Sequence, residues 1–357
     1  MKQKIKIIAP NLSGKGGTEK VLDYIFSSAL ITEKFNLTLV LPDIPEYYEW
    51  LNQKIYFEKT ELRQGNRTLF ILKQLIFDDI DVVICLGPRL CYIANQVKKY
   101  LKKFFIVLSW IHFPVLGMDF MNPKYLKYAD GHLVINSETV EQLETLGILK
   151  NNIKVIYNPV SSQKIKKQDI KQENLIKIGY VGRLILGPQK NLSTLFKVVA
   201  ALAVEKKIEL HIVGSGNQDS ELKDYANNML KSFPVKINWY GWQEKPWDVL
   251  PYIDVFLLTS TFEAFGLVLF EAISRNIPIV STDLLEIRDF LKEGINGEVA
   301  PADQVEIFKQ KVLKVLKYDE ETRSNIYKSL EFLYDTNYDE RFIQAIYYFL
   351  KCLRGKE

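Results

Sequence analysis

Two glutamates in the second half of the chain stand eight positions apart across a predicted helix start. Glu263 follows an apolar run, and Glu271 lies inside the helical pattern that comes next. At 1.5 Å of rise per residue their carboxylates are separated by roughly 12 Å, a span that reaches from a sugar to a ribose across a diphosphate. The backbone amides between them, which begin the helix, form a natural diphosphate cradle. These are the amides of Phe265, Gly266 and Leu267.

The same residues allow a simpler interpretation. Ser260 and Glu263 fit the S-x-x-E pattern of a capping box, in which both side chains only satisfy amides at a helix N-terminus. Glu271 would then be a solvated helix residue. The spacing alone leaves both interpretations open.

Two cations lie in another loop that follows a strand. Arg183 and Lys190 stand in YVGRLILGPQKN, and a pair of cations at the carboxyl edge of a sheet can neutralise a departing diphosphate without a metal ion. Basic loop residues are also commonly just solvated, and Trp242, an aromatic residue near a later strand end, can equally be a packed side chain. Two further strand ends, HIVGSGN and WYGWQ, offer residues to a nucleotide base: Gly214, Gly216, Trp242 and Gln243.

The first half of the chain contributes a glycine-rich turn and one histidine. Residues 11–18, NLSGKGGT, contain Gly14, Gly16 and Gly17 directly after the first strand. The turn has neither the Walker A register nor the GxGxxG register, so a ligand loop and a plain tight turn are both open. His112 ends a strand in SWIHFP, whereas the other two histidines lie inside apolar strand patterns. A lone histidine is more often structural than functional.

The elements that must position these residues follow from the hydrophobic pattern. Short β-branched runs alternate with helical patterns from end to end, which is typical of parallel sheets joined by crossover helices. The prediction is an α/β fold with two Rossmann-like, doubly wound domains, 1–160 and 176–335, joined by a polar, lysine-rich linker at 161–175. A C-terminal helix at 336–357 is expected to pack back on the first domain. Ligands of such sheets bind beyond the carboxyl ends of the strands, where the candidate residues lie.

Composition excludes several classes. The chain has 357 residues with 47 Lys+Arg against 43 Asp+Glu, and this near balance does not favour nucleic-acid binding. Three cysteines without a CxxC pair indicate neither a disulfide framework nor a zinc site. The N-terminus shows no signal-peptide pattern and no run of eighteen apolar residues occurs, so a cytoplasmic protein is expected. A nicotinamide-dependent oxidoreductase would need a GxGxxG turn with a following acidic residue, and this combination does not occur convincingly in the sequence. The sequence therefore does not favour that class.

Several of these motifs together carry a family resemblance. The E-x7-E pair in EAFGLVLFE, the GR…K loop, the glycine-rich first turn and VIYNPV resemble the retaining family-four glycosyltransferases of GT-B architecture. SWIHFP, WYGWQEKPWDVL and LLTSTFEAFGLVLFEA resemble the lipopolysaccharide 1,6-galactosyltransferases within that family. The resemblance spans nearly the whole chain. It implies two domains facing across a cleft, and transfer of galactose or glucose from a UDP-sugar to a glycan such as the lipopolysaccharide core.

The resemblance also implies roles for the candidate residues of the second domain. Glu271 would hold the ribose hydroxyls, and Glu263 would face the donor sugar. Arg183 and Lys190 would grip the diphosphate, which leaves no need for a metal or any other cofactor besides the UDP-sugar substrate.

For the first domain, which would bind the acceptor, the resemblance implies that Gly16 and Gly17 close over the diphosphate. His112 corresponds to the family's histidine near the donor sugar and the reaction centre. Retention is explained in this family by front-face attack, in which the leaving diphosphate accepts the proton of the acceptor hydroxyl. The protein's contribution is then mainly electrostatic and positional.

Two segments depart from the family pattern. Asp79 and Asp81 form a D-x-D, the metal-binding signature of the other large glycosyltransferase architecture, but they precede a strand and so lie at the amino edge. We interpret them as a solvated turn and expect no metal requirement. In STDLLEIRDF the glycine that often precedes the acidic residue is missing, which makes the loop at 284–286 a candidate for altered sugar selectivity.

A lipid-linked acceptor would require contact with a membrane surface. KKYLKKFFIVL and NRTLFILKQLIF combine lysines with aromatic and apolar residues, and together they could form a peripheral anchor for anionic lipid at the inner face of the plasma membrane. The alternative is a solvated helix end that leads into a buried strand.

Two other functions use the same layout. A GT-B nucleotide-sugar epimerase would need acid and base carboxylates on the sugar and no acceptor. A non-catalytic module that binds nucleotide sugars would leave both glutamates and both cations unexplained.

Overall fold

The computed structural model describes residues 2–14, 16–52, 54, 56–116, 122–160, 174–263 and 265–354, with the side chains of 335, 336, 353 and 354 left out. Its strands are β1 Gln3–Ile8, β2 Phe35–Leu41, β3 Thr60–Leu62, β4 Val82–Cys85, β5 Ile106–Trp110, β6 Gly131–Val134, β7 Ile153–Val155, β8 Leu175–Val181, β9 Lys207–Val213, β10 Val235–Trp239, β11 Val255–Leu258, β12 Ile279–Thr282 and β13 Gly297–Ala300. Its α-helices are α1 Gly17–Ser27, α2 Ala29–Lys34, α3 Glu49–Asn52, α4 Arg67–Ile76, α5 Pro88–Tyr100, α6 Ser137–Thr145, α7 Leu192–Ala203, α8 Asp219–Leu230, α9 Pro246–Val249, α10 Leu267–Ile273, α11 Val305–Leu316, α12 Glu320–Asn325 and α13 Asp335–Arg354.

The chain divides into two compact units. The first unit comprises Met1–Pro159 together with Asp335–Glu357, and the second comprises Val160–Tyr334. The linker expected at 161–175 falls largely outside the described residues, and β8 begins at its last position, Leu175. The domain limits predicted from the sequence, 1–160 and 176–335, remain a prediction.

The first unit is built on a seven-stranded parallel sheet. Its strand order is β3-β2-β1-β4-β5-β6-β7, so the order reverses between β1 and β4. The central strand β4 reads VVIC and is buried along its whole length, as expected for a strand covered on both faces. The glycine-rich turn therefore lies at the switch point of this sheet, since it follows β1.

The second unit repeats this plan with six parallel strands. The order is β10-β9-β8-β11-β12-β13, and it reverses between β8 and β11. Helix α7 presents eight buried residues to the core, which also contains the apolar side chains of β8, β9 and α11. The loops that follow β8 and β11 leave the same edge of the sheet side by side. This edge is where a ligand of a doubly wound sheet binds.

Two edge strands, β3 and β13, have no apolar alternation and were not predicted. β13 carries Glu298, which is fully buried and accepts hydrogen bonds from Lys311 at 2.9 Å and Lys314 at 2.6 Å. Burial alone would raise the pKa of Glu298, but the bonds from Lys314 and Lys311 lower it to about 2. The strand is therefore stabilised by paired charge, which hydrophobic periodicity does not reveal.

An aspartate at the amino edge has the same structural task in each unit. Asp81 accepts the backbone N–H of Lys4 at 2.8 Å, and Asp254 accepts that of Lys177 at 2.8 Å. Asp79, the other half of the D-x-D, pairs with the Lys4 ammonium at 2.7 Å. Both aspartates of the D-x-D thus bind Lys4 at the start of β1.

Helix α13 belongs to the first unit. Its apolar face buries Tyr338, Phe342, Ile346 and Phe349. A side chain at Gly131 in β6 would place its Cβ 2.3 Å from the Phe349 ring, so this position fits the helix because it is glycine.

Candidate active site

A group of predicted site residues that contact one another lies at the switch point of the second unit. Lys190 follows β8 and Glu263 follows β11, and these strands are neighbours in the sheet. The Lys190 Nζ lies 2.5 Å from Glu263 Oε1, and the side chains are only 12% and 11% exposed. Ser260 donates its hydroxyl to the same carboxylate oxygen at 2.6 Å. The structure thus brings two predicted residues, 73 positions apart, into a buried charge pair.

Three hydrogen bonds join the two loops behind this pair. Thr259 Oγ1 donates to the Lys190 carbonyl at 3.0 Å, and Thr261 donates its backbone N–H to the Gln189 carbonyl at 2.9 Å. Thr261 Oγ1 also donates to the Pro188 carbonyl at 3.0 Å. The backbone on both sides of the ion pair is fixed, so the pair is held in place rather than formed by two free side chains.

The capping-box interpretation of Ser260 and Glu263 is wrong. Helix α10 begins at Leu267 and its N-cap is Gly266, with a left-handed backbone at φ +68°. Ser260 lies six positions before that cap and bonds the Glu263 side chain instead of a helix amide. The amides of Phe265 and Leu267 flank the cap as predicted from the helix start, while the Phe265 ring stacks on Phe270 with centroids 4.3 Å apart. Their role as a diphosphate cradle stays a prediction.

Glu271 is not a solvated helix residue either. It is half-buried on α10, and its Oε2 accepts the indole N–H of Trp247 at 2.7 Å. Its backbone carbonyl accepts a bond from Arg275 Nη1 at 2.7 Å. The carboxylate is therefore held by a partner from another element, α9, and has a defined orientation.

Arg183 is exposed and reaches the same loop. Its Nη2 lies 3.3 Å from Gln189 Oε1, beside Lys190 in the chain. Tyr180, at the end of β8, donates its hydroxyl to the Arg183 carbonyl at 3.1 Å. Burial raises the pKa of Tyr180 above its ordinary value, the negative charge of Glu263 adds to that rise, and Arg183 opposes it. Tyr180 is thus a neutral, buried support beneath the charged residues.

The glycines after β9 are required by the protein's own backbone. A Cβ at Gly214 would lie 1.8 Å from the Gly182 carbonyl oxygen, and one at Gly216 would lie 1.8 Å from that of Leu184. Gly214 also has φ +146°, a value that side chains disfavour. These two positions let the loops after β8 and β9 pack against each other. Their contact with a nucleotide remains a prediction.

The loop after β10 lies at the same edge of the sheet as the loops after β8 and β9. Trp242 is 43% exposed, and Gln243 is half-buried and donates to the Tyr240 carbonyl at 3.0 Å. Because β10, β9 and β8 are adjacent, these residues lie beside the glycine loop and the cation loop. The arrangement is compatible with the predicted base contacts, which stay a prediction.

In the first unit the glycine-rich turn encloses a carboxylate. Glu19, 4% exposed on α1, accepts the Gly14 N–H at 2.7 Å and the Ser13 hydroxyl at 2.9 Å. A Cβ at Gly16 would lie 2.5 Å from Glu19 Oε2, and Gly17 is the first residue of α1. Glu19 was not among the predicted residues, although its place in the first turn of a helix after glycines favours a carboxylate.

His112 follows β5 and is 6% exposed. Its ring contacts Trp110 edge-on at 4.3 Å, and within the described part of the chain its Nε2 has no hydrogen-bond partner. Burial lowers the pKa of His112 to about 3, so its imidazole is neutral at ordinary pH. A buried polar atom without a partner is uncommon in folded proteins and suits a residue that meets a ligand.

Three residues that support the candidate site were not predicted from the sequence: Trp247, Tyr180 and Glu19. Ser260 was predicted only as part of a capping box, and it bonds Glu263 instead. Trp247 stood in the quoted WYGWQEKPWDVL stretch, where Pro246 at a helix start predicts that a short helix begins. Nothing in the sequence indicates that its indole reaches Glu271, 24 positions later.

Comparison with known proteins assigns this fold to the glycosyltransferases of GT-B architecture. Residues 161–331 match the family described as glycosyl transferases group 1. A lipopolysaccharide 1,6-galactosyltransferase of Salmonella typhimurium is 30% identical over 96% of this chain and 98% of its own length. The chain belongs to the group 1 glycosyl transferases, and the predicted family and enzyme class are confirmed.

Solved structures agree with this assignment. The apo form of the lipopolysaccharide outer core galactosyltransferase WaaB has a TM-score of 0.82 and 29% identity, covering 97% of this chain and 99% of its own. Anabaena HepE in complex with UDP-glucose has a TM-score of 0.75 at 15% identity, covering 96% of this chain and 99% of its own, and this likeness shows the fold alone. The predicted fold class of two Rossmann-like parallel sheets is confirmed.

No helix among the described residues is long and apolar enough to span a bilayer.

Proposed function

We propose that this glycosyltransferase moves a hexose, galactose or glucose, from a UDP-sugar to a glycan acceptor such as lipopolysaccharide core, with retention of configuration and without a metal ion. The observation that carries the proposal is the Lys190–Glu263 pair at 2.5 Å, held at the switch point by Ser260. The 30% identity to a lipopolysaccharide 1,6-galactosyltransferase over 96% of this chain supports the choice of donor and acceptor.

The diphosphate is the part of the donor that these residues are suited to stabilise. Lys190 and Arg183 share one loop and can each place a cation near phosphate oxygens. As the bond between the anomeric carbon and the diphosphate oxygen breaks, negative charge collects on the diphosphate. Fixed cations stabilise that charge without reorganising, which is the main means of lowering such a barrier.

The acceptor hydroxyl needs no strong side-chain base in this scheme. Its oxygen bonds to the anomeric carbon on the face that the diphosphate leaves, and its proton passes to an oxygen of the departing diphosphate. His112 contributes as a neutral hydrogen-bonding group, because burial lowers its pKa to about 3. Glu263, fixed by Lys190 and Ser260, can accept a hydroxyl of the donor sugar through its carboxylate.

Metal independence is supported by the charges already present. Arg183 and Lys190 place two cations on the diphosphate side, where Lys190 is shared with Glu263, and Asp79 and Asp81 are both engaged with Lys4 at the amino edge. We expect turnover to be unchanged in the presence of excess chelator. A loss of activity that added Mg²⁺ or Mn²⁺ restores would contradict this part of the proposal.

The glycan acceptor is proposed to come from a membrane surface. The turn before β5 exposes Tyr100 by 74%, Leu101 by 48% and Phe104 by 85%, next to Lys102 and Lys103. Exposed aromatic rings combined with lysines are typical of a contact with anionic lipid, at about 1 kcal/mol per basic residue. We place the enzyme at the inner face of the plasma membrane on this basis.

The position of this turn limits the kind of acceptor. It precedes β5, whereas His112 follows β5, so the two lie at opposite edges of the sheet. Five residues of strand span about 16 Å. An acceptor that reaches from the lipid to His112 must bridge at least this distance, which favours an oligosaccharide of several sugars over a single sugar on a lipid.

The catalytic part is tested with purified enzyme and UDP-galactose or UDP-glucose, with and without lipopolysaccharide core oligosaccharide. We expect UDP release that depends on the acceptor, and a product whose new linkage keeps the donor's anomeric configuration by NMR. Interconversion of the two UDP-sugars without acceptor would indicate an epimerase. A melting temperature raised by GDP or ADP instead of UDP would overturn the donor assignment.

The membrane part is tested by sedimentation with vesicles containing anionic lipid across a salt series. We expect the wild type to sediment at low salt and to be released at high salt, and the Tyr100→Ser, Phe104→Ser variant to remain in solution throughout. Val204→Ser, which changes a side chain exposed by 71% in the second unit, is the matched control. Equal sedimentation of all three proteins would exclude this surface.

A further inference from the structure

Trp247 makes a side-chain contact with one of the candidate site residues. It lies on the four-residue helix α9, it is 5% exposed, and its indole N–H points to Glu271 Oε2 at 2.7 Å. An indole can only donate a hydrogen bond, and a bond to a carboxylate is charge-assisted. A buried indole N–H needs an acceptor, and Trp247 takes the carboxylate of a candidate site residue as its acceptor.

The ring itself is fixed from two sides. The ring centroid lies 5.7 Å from that of Phe256 in β11. The guanidinium carbon of Arg275 lies over the ring, 5.0 Å from the same centroid. Arg275 in turn donates to the Glu271 carbonyl at 2.7 Å, which closes a loop of contacts between α9, α10 and the sheet. The donor atom of Trp247 therefore has little freedom to move.

We propose that Trp247 is the positioning residue for ribose recognition: its indole N–H holds the Glu271 carboxylate in the rotamer that accepts the two ribose hydroxyls of the donor. The inference rests on the proposed function, in which Glu271 binds that ribose. Trp247 acts only through Glu271 and has no contact with the nucleotide in this role.

The physical reason is preorganisation. A carboxylate offers about four acceptor positions, and the bond from Trp247 fixes the direction in which those positions point. A glutamate on an exposed helix face samples several rotamers, and ordering it on binding costs affinity. Because Trp247 already holds the Glu271 carboxylate in the folded protein, this ordering takes place during folding and does not weaken ligand binding. Loss of this charge-assisted bond is expected to weaken UDP binding about tenfold.

The test compares two ligands on each variant by calorimetry: UDP and 2′,3′-dideoxyuridine 5′-diphosphate, which lacks both ribose hydroxyls. We expect the wild type to prefer UDP. Trp247→Phe keeps an aromatic ring but removes the indole N–H. UDP affinity should therefore fall about tenfold, while dideoxy-UDP affinity changes less than twofold. The donor KM should rise as UDP affinity falls, with kcat within twofold. Trp239→Phe in β10 of the same unit is the matched control.

The outcomes separate the inference from the proposal on which it rests. If the wild type binds both ligands equally, Glu271 does not bind the ribose, and both are overturned. If the wild type discriminates but Trp247→Phe weakens both ligands equally, or neither, Trp247 does not act through Glu271 and only the inference falls.

A second measurement covers the case in which Trp247→Phe does not fold. The chain has 5 tryptophans, so a ¹⁵N-tryptophan spectrum of the wild type shows as many indole N–H signals. The Trp247 signal is identified as the one that Glu271→Gln shifts. In the wild type, UDP should shift the same signal, whereas dideoxy-UDP should not. An indole signal that responds to Glu271→Gln but not to UDP would overturn the inference.

Discussion

At the scale of single residues, the charge pair of Lys190 and Glu263 has two consequences. Removing one partner leaves a buried charge without compensation, which costs about 3–5 kcal/mol in buried pairs. It also removes a cation from the loop proposed to hold the diphosphate. Any variant at these positions therefore mixes a stability effect with a catalytic effect, and the two must be measured separately.

Lys190→Met should lower turnover by roughly a hundredfold or more, because a fixed cation near the leaving group is lost. It should also lower the free energy of unfolding, since the buried Glu263 carboxylate loses its cationic partner. Adding Glu263→Gln should restore most of the stability and none of the turnover. UDP release assays and urea denaturation measure the two effects, with Lys236→Met, at a lysine side chain exposed by 70%, as control. Turnover that recovers in the double variant would show that Lys190 is only structural.

His112 gives a prediction for stability against pH. Its pKa is about 3 in the folded chain and about 6.5 when unfolded, so below pH 6.5 the unfolded chain binds a proton that the folded chain does not. His112 alone therefore lowers the free energy of unfolding by about 2 kcal/mol as the pH drops from 7.5 to 5. His112→Phe should lose about 2 kcal/mol less over this range in urea denaturation. An identical loss in both proteins would show that the histidine is protonated in the folded state.

At the scale of elements, the loops at the edge of the second sheet pack closely against one another. Gly214 and Gly216 let the loop after β9 approach the carbonyls of Gly182 and Leu184. Three hydrogen bonds join the loops after β8 and β11. Because the backbone is fixed in this way, the charged side chains can be held within the narrow geometric tolerance that catalysis needs.

Gly214→Ala should disrupt this fit. The new Cβ would lie 1.8 Å from the Gly182 oxygen at a φ of +146°, so the loop must move or the backbone must strain. We expect a loss of about 2 kcal/mol or more in the free energy of unfolding, together with weaker UDP binding. Gly187→Ala is the matched control, since a Cβ at that position meets nothing within 4 Å. Equal effects of the two substitutions would show that the close approach has no functional role.

At the scale of the whole molecule, the two units differ in how the chain builds them. The second unit is one continuous segment, Val160–Tyr334, whereas the first needs the C-terminal helix α13. Four large side chains of α13 are buried: Tyr338, Phe342, Ile346 and Phe349. Burial contributes about 1.5–3 kcal/mol for each, which together is comparable to the 5–15 kcal/mol stability of a typical domain.

A chain that ends at residue 334 should therefore lose the cooperative unfolding of the first unit and keep that of the second. Differential scanning calorimetry with and without UDP measures this, and we expect the remaining transition to shift upward with UDP. A chain that ends at residue 354 is the control. Two intact transitions in the shorter chain would show that the first unit folds without α13.

The predicted site was recovered from the sequence only as a set of positions. Lys190 and Glu263 were identified because both follow apolar strands, and parallel strands bring their carboxyl ends to one edge. Two interpretations of Glu263 stayed open, a donor-binding carboxylate and a capping box with Ser260, because the residue types and their spacing fit both. The choice between them depended on where α10 begins, and helix boundaries are set by backbone geometry that residue types only bias.

The sequence by itself determined the alternation of strands and helices, the parallel sheets that follow from it, and the edge at which the candidate residues lie, because these depend on local hydrophobic period. The tertiary structure decided which side chains become partners: Lys190 with Glu263, Trp247 with Glu271, and Glu19 with the amide of Gly14. It also decided that β13 is a strand despite its buried Glu298. A hydrogen-bond or charge partner is chosen by which loops the strand order places side by side, and that order is a property of the folded chain rather than of any local segment.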